Sequence, residues 1–179
     1  MYACRPFSSS RSTNCSTRSR DDSGRSAVVT GQPLELQGSA GREAATGRGV
    51  VHVIEHALAD AGRSIEGATI AVQGFGNVGA HVALLAHRLG ARIVSVSDAS
   101  GGVRHPGGLD VPRLFTEFAV PRRALADYHD DGVTALSQDE LLTDDVDVLV
   151  PAALGEVLDE RVAKELRAGM VVEAANGPT

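Results

Sequence analysis

The sequence predicts an α/β fold: a Rossmann-like, doubly wound parallel sheet. Three observations predict it. From Ala27 onward, short apolar runs alternate with stretches of helical periodicity, the pattern that sets parallel strands between helices. One strand-to-helix junction, Gly74-Phe75-Gly76-Asn77-Val78-Gly79, reads GxGxxG. An acid, Asp98, closes the next apolar run, about 20 residues further on.

Each element has a local reason. Residues 1–26 are rich in Ser and Arg and poor in aliphatics, a composition that buries too little surface to fold. A disordered or non-native segment is expected there, so the domain is placed at 27–179. Cys4 and Cys15 both fall in that first segment without CxxC spacing, which argues against a disulfide or metal framework. Val28 to Pro33 reads as a strand and turn, and a glycine-rich stretch from Gly38 to Gly49 holds Ser39, Arg42 and Thr46. An amphipathic helix is predicted from about Thr46 to Ala61, with Val50, Val53, Ile54, Ala57, Leu58 and Ala61 inward and Gly62 as its stop. Within it, His52-Val53-Ile54-Glu55-His56 matches HxxEH, a zinc-peptidase signature. Two histidines one turn apart share a face, but zinc needs a third ligand and no nearby segment offers one. A solvated polar face is the favoured reading, and no metal is assigned.

Thr69 to Gln73 is a buried strand by length and composition. Val78, Val82, Leu85 and Leu89 then recur at helical spacing as far as Gly90. Arg92 to Ser97 forms the next strand. Ser100 to Gly108 is a turn-rich, hairpin-like loop, and Asp110 caps a short helix running to Phe118. Pro121 to Asp131 reads as polar surface. Ser137-Gln138-Asp139-Glu140 fits a capping box. Val146 to Val150 is a third parallel strand, ending in Pro151-Ala152-Ala153. A helix from Leu158 to Ala168 leads to a fourth strand, Met170 to Ala174, which ends before Asn176.

The glycine spacing carries chemistry. Gly74 permits a tight turn, Gly76 lets backbone N–H groups approach a pyrophosphate, and Gly79 lets helix and strand pack closely. The helix start adds unpaired N–H groups and positive partial charge. Asp98 can accept hydrogen bonds from an adenine-ribose diol and repels a 2′-phosphate, which favours NAD over NADP. Gly74 to Gly79, Asp98, Ala152 with Ala153, and Asn176 all follow strand ends, where open α/β sheets bind their ligands. A glycine turn with no ligand is the bland alternative, and its weight falls with each part of this context.

The formal charge is 17 − 23 = −6. Residues 1–26 carry five arginines against Asp21 and Asp22, or +3, which leaves −9 for the remainder. An acidic body argues against nucleic acid as a partner. No apolar run reaches membrane-spanning length, so a soluble, cytoplasmic protein is expected.

Several linked motifs resemble a known family. They are Val29-Thr30-Gly31-Gln32-Pro33, the segment from Gly38 to Gly49, QGFGNVG from Gln73 to Gly79, SDASGG from Ser97 to Gly102, VPAA from Val150 to Ala153, and EAANGPT from Glu173 to Thr179. Together, from Ala27 to Thr179, they are similar to the C-terminal, NAD-binding domain of glutamate dehydrogenase, in the Glu/Leu/Phe/Val dehydrogenase family. The resemblance implies that Thr46 contacts the nicotinamide side and that Phe75, Gly76, Asn77 and Val78 line the pyrophosphate and ribose. It implies that Asp98 holds the adenine ribose, that Ala152, Ala153 and Asn176 lie along the cofactor, and that Arg42 faces the substrate.

The implied parent reaction is oxidative deamination of L-glutamate to 2-oxoglutarate and ammonia, with NAD as acceptor, in a homo-oligomeric enzyme. In the family the catalytic lysine and aspartate lie in an N-terminal domain that residues 1–26 do not resemble. No catalytic residue is therefore assigned, and the chain is expected to be a fragment, truncated at both ends and inactive alone. Two other readings are a non-catalytic nucleotide-binding module and the zinc peptidase that HxxEH suggests.

Overall fold

The strand Thr69–Gln73 (β1) lies at the heart of an open sheet because both of its faces are apolar. Its side chains alternate, so Ile70 and Val72 enter one core cluster while Ala71 enters the other. Helices must then cover both faces. The computed structural model describes residues 41–153 and 157–175. Their elements run α1 (Arg42–Asp60), β1, α2 (Asn77–Arg88), β2 (Arg92–Asp98), β3 (Gly101–Arg104), α3 (Val111–Leu114), β4 (Thr134–Leu136), α4 (Gln138–Leu142), β5 (Val148–Pro151) and α5 (Glu160–Glu165). Residues 1–26, Val28 to Pro33 and Asn176 lie outside the described residues.

The sheet order is β4-β3-β2-β1-β5. β1 pairs parallel with β2 and with β5, setting Gln73 between Ser97 and Pro151. These pairs form the parallel part of the expected doubly wound sheet, and two strands extend it at one edge: β3 runs antiparallel to β2, and β4 antiparallel to β3. The turn-rich, hairpin-like loop expected over Ser100 to Gly108 has its turn, with the Gly108 N–H donating to the His105 carbonyl at 2.9 Å. Yet Gly101 to Arg104 makes a strand, because Ala99-Ser100 is already a tight enough turn for Asp98 to pair with Gly101. GGVR gives no alternation from which to read a strand. Gly102 lies close to β4 there: a Cβ would stand 2.8 Å from Cδ2 of Leu136 and 3.1 Å from its carbonyl oxygen.

The expected fourth strand is reduced to a single bridge, Leu149 to Val171. Even so, Leu149 donates to the Met170 carbonyl and Val172 to that of Leu149, each at 2.9 Å, so this segment follows β5 in parallel. The helix expected over Leu158 to Ala168 is shorter, with Asp159 accepting from the Val162 N–H at 2.8 Å as its cap.

The first core cluster unites Val50, Val51, Ile54 and Leu58 of α1 with Ala80, Val82, Ala83 and Ala86 of α2. Val53, expected inside, is 54% exposed. Glycine at position 47 explains how close the helices come: a Cβ there would lie 2.7 Å from His81 Cβ on α2. α2 ends as its sequence predicts. Gly90, at φ +88°, follows Leu89, while Gly90 donates to the His87 carbonyl and Ala91 to that of Ala86, the pair of bonds that closes a Schellman motif. The second cluster joins Leu141 and Leu142 of α4 and Val162 of α5 to Ala71, Val94 and Leu149.

Asp110 caps α3 by accepting from the Arg113 N–H at 3.0 Å, and the helix continues as a π-helical turn, Phe115–Ala119. Pro121 to Asp131, expected at the surface, instead buries Leu125 and Tyr128. Tyr128 stacks edge-on against Phe118 with ring centroids 5.3 Å apart. Burial, and then the hydrogen bond to Asp130, pushes its phenol up to about 12, so it stays protonated and structural.

Candidate functional site

The glycine turn, Asp98, Ala152 and Ala153 stand where strands stop at their carboxyl ends. β1 leads into Gly74, whose φ of +95° favours glycine. A Cβ on Gly74 would lie 2.7 Å from the Ala153 nitrogen and 2.8 Å from its Cβ. The turn after β1 therefore rests directly on the backbone that follows β5. The Ala152 N–H donates to the Gln73 carbonyl at 2.7 Å and ties the two strand ends together. On the other flank, Gly74 and Phe75 donate to the carbonyl of Ser97 at 2.9 and 2.7 Å. Three strand ends are thus joined by backbone alone.

Gly79 completes the joint. A Cβ there would collide with the Gly74 carbonyl oxygen and reach within 3.1 Å of Val72 Cγ1, so only glycine lets α2 start this near to β1. Gly76 differs from both. Its φ of −83° suits any residue, and nothing lies within 4 Å of where a Cβ would stand. Space is left open just there, at the N-cap of α2.

That helix start has no side-chain cap, whereas Asp110, Ser137 and Asp159 cap α3, α4 and α5. The first N–H groups of a twelve-residue helix, with the positive end of its dipole, face this opening. Asn77 donates its side-chain N–H to the Glu43 carbonyl at 3.0 Å and so draws the start of α1 to the start of α2. Thr46 is exposed one turn further along α1, Arg42 is exposed at its first position, and Val78 is half-buried against the core.

Asp98, half-buried at the end of β2, is held by its own chain. One carboxylate oxygen accepts from the Ser100 N–H at 2.7 Å and from the Ser100 hydroxyl at 2.5 Å. The other accepts from the Leu125 N–H at 2.9 Å. No cation pairs with it among the described residues. The carboxylate therefore keeps part of its acceptor capacity.

Gly74, Gly79, Ala152, Ala153 and Asp98 thus share one end of the sheet, while Asn176 lies outside the described residues. Sequence reasoning missed Gly47, Ser97, Ser100 and Gln138. Gly47 carried a signal, as a glycine inside a helical pattern; the other three act through contacts that no spacing reveals. The HxxEH stretch is part of α1, where His52 Nδ1 meets Glu55 at 3.1 Å on the exposed face. No group of three His, Cys, Asp or Glu among the described residues is placed to hold a metal. Two concavities are lined by neither the glycine turn nor Asp98, one along α5 and one lined by Arg104, Glu140, Asp144 and Arg167.

Residues 38–179 match the family model for glutamate/leucine/phenylalanine/valine dehydrogenase. This chain belongs to that family. It is 42% identical over 154 residues to the catabolic NAD-specific glutamate dehydrogenase RocG of Bacillus subtilis (strain 168), an alignment covering 84% of this chain and 35% of RocG. Among solved structures, it resembles the hetero-hexameric glutamate dehydrogenase of Thermus thermophilus, Leu-bound form, with a TM-score of 0.73 and 37% identity, over 85% of this chain and 36% of that one. Plasmodium falciparum glutamate dehydrogenase matches with a TM-score of 0.76 and 25% identity, over 84% of this chain and 34% of that one. The chain thus spans about a third of the length of these relatives. The family members share the open α/β sheet, and no described helix is long and apolar enough to cross a membrane.

Proposed function

We propose that residues 27–179 form the NAD-binding domain of an amino-acid dehydrogenase whose parent reaction is the oxidative deamination of L-glutamate to 2-oxoglutarate and ammonia. The observation that carries this reading is the backbone cradle: Gly74 and Gly79 are sterically required, while Gly76 faces open space beside an uncapped helix start. A cradle that a Cβ would fill, at a positive helix end, fits a pyrophosphate. Asp98, with no cation paired to it among the described residues, fits a ribose diol. When bound, the dinucleotide supplies the hydride acceptor.

This chain's residues then bind and orient. The N–H groups of Asn77 and Val78 face the phosphates, and Asp98 takes the ribose hydroxyls and disfavours a 2′-phosphate. Ala152 and Ala153 offer small surface along the cofactor, and the family resemblance adds Asn176 there and Thr46 on the nicotinamide side. Arg42, which the family resemblance turns towards the substrate, is the residue proposed for its carboxylate. The NAD-specific character of RocG supports NAD over NADP. The one lysine of the sequence, Lys164, is paired with Glu160 at 2.7 Å on α5 and is not a candidate base. The chain alone is therefore expected to give no glutamate-dependent reduction of NAD.

The test is Gly76→Ala. Its φ and surroundings accept a methyl group, so the melting temperature should hold, while NAD affinity measured by calorimetry should fall at least about tenfold as the methyl enters the phosphate space. Unchanged affinity in a folded variant overturns the cradle. A second reading, a nucleotide-binding module with no reaction of its own, predicts the same binding; assay of the chain together with a lysine-bearing substrate domain separates the two.

A further inference from the structure

Asp98 carries the proposed choice of dinucleotide, and its position is set by a residue from a distant part of the chain. Gln138, the first residue of α4, donates Nε2–H to the Asp98 carbonyl at 2.6 Å. Its Oε1 accepts from the Ser97 hydroxyl at 2.9 Å. Ser97 is fully buried, and its own carbonyl receives the Gly74 and Phe75 N–H groups. One side-chain amide thus clamps the last two residues of β2, and through Ser97 that clamp reaches the glycine turn. The capping box of Ser137 and Glu140 anchors α4 immediately beside Gln138.

We propose that Gln138 is a positioning residue that determines dinucleotide selectivity, by fixing the main chain from which the Asp98 carboxylate extends. The proposal rests on the assignment of Asp98 to the adenine ribose made above. Ser100 and Leu125 select the direction of the carboxylate, whereas Gln138 fixes the backbone beneath it. Acceptance of two ribose hydroxyls and repulsion of a 2′-phosphate both weaken when that carboxylate drifts, since hydrogen bonds lose strength steeply with distance and angle. The glycine cradle serves both dinucleotides alike. Loosening Asp98 therefore changes their ratio, while a purely structural role would weaken both equally.

The experiment titrates the full chain with NAD and, separately, NADP by calorimetry, with thermal melts as a fold control. Gln138→Leu removes both hydrogen bonds at similar volume and should lower the NAD-to-NADP affinity ratio by about 3- to 10-fold, the range expected from one hydrogen bond's net contribution. Should that variant fail to fold, Ser97→Ala removes one of the two anchors and should move the ratio in the same direction by less. Equal weakening of both dinucleotides, or an unchanged ratio, overturns the proposal. Asp98→Ala runs in parallel. If it shifts the ratio while the Gln138 and Ser97 variants do not, the role of Gln138 alone is lost. If Asp98→Ala leaves the ratio unchanged, or the unaltered chain binds neither dinucleotide, the assignment of Asp98 fails and the proposal with it.

Discussion

The two ends of the sheet each present an aspartate, and the two are held in opposite ways. At the amino ends of the strands, Asp147 accepts from the Thr69 N–H at 2.7 Å and the Thr69 hydroxyl at 2.9 Å, and is ion-paired with Arg63. Its own N–H returns a bond to the Thr69 hydroxyl at 2.9 Å. Burial pushes this carboxyl up, but the Thr69 N–H, the Arg63 guanidinium and the Thr69 hydroxyl outweigh burial and hold it below the usual carboxylate range. At the carboxyl ends, Asp98 meets only neutral donors from Ser100 and Leu125. A carboxylate neutralised by arginine and bonded across two strands is a fastening. One that meets only neutral donors is the one proposed above for a ligand. On that proposal, the same residue type on the same sheet is divided between structure and binding by its partners.

The largest expected effect tests whether the carboxyl end depends on backbone contact. Gly79→Ala sets a methyl group against the Gly74 carbonyl, where no flexible side chain can yield. It should cost about 3 kcal/mol or more in chemical denaturation and abolish NAD binding. Loss of less than about 1 kcal/mol would show that α2 can move away from β1 at little cost.

Asp147→Ala, at the fastening end, leaves the Thr69 donors unpaired and should cost about 1–3 kcal/mol with no change in the NAD-to-NADP ratio. The pH dependence has a definite sign. With its folded pKa depressed, Asp147 contributes stability that is fully present above its unfolded value of about 3.9 and is lost as pH falls through the lower folded value. The unaltered chain should therefore lose this contribution below about pH 4, and Asp147→Asn should flatten that part of the stability curve.

Asp98→Ala should have the reverse profile. A shift of about tenfold in the affinity ratio towards NADP is expected from loss of the carboxylate's acceptance and repulsion, with a smaller loss of stability than Asp147→Ala causes. If the two aspartates exchanged profiles, the comparison would collapse. The smallest effect belongs to Ser137→Ala, which removes the cap of α4 and should cost about 1 kcal/mol. It sharpens the comparison, because a drop in the affinity ratio as well would mean that α4 carries Gln138 to Asp98 only when its start is secured.

Much of this was legible in the sequence where the cause was local. The GxGxxG spacing located the junction of β1 and α2, Gly90 marked the stop, and Ser137 with Glu140 announced a capping box that the structure contains. The inward faces were read less well. Val53 and Leu89 fit a helical stripe yet are 54% and 41% exposed, because burial depends on which neighbour arrives and not on period alone. Leu125 and Tyr128 sat in a polar stretch and are buried all the same, since Asp98 and Phe118 draw that segment inward.

By itself, the sequence determined the alternation of strand and helix, the turn that only glycine can make, the acid at the end of β2 and the family to which the chain belongs. These rest on steric rules and hydrogen bonds that span a few residues. Tertiary structure alone decided that β3 and β4 extend the sheet antiparallel, that Gly74 rests on Ala153, and that Gln138 holds Asp98 across 40 residues of chain. Such contacts are settled by the closing of the fold, which brings together groups that no local pattern relates.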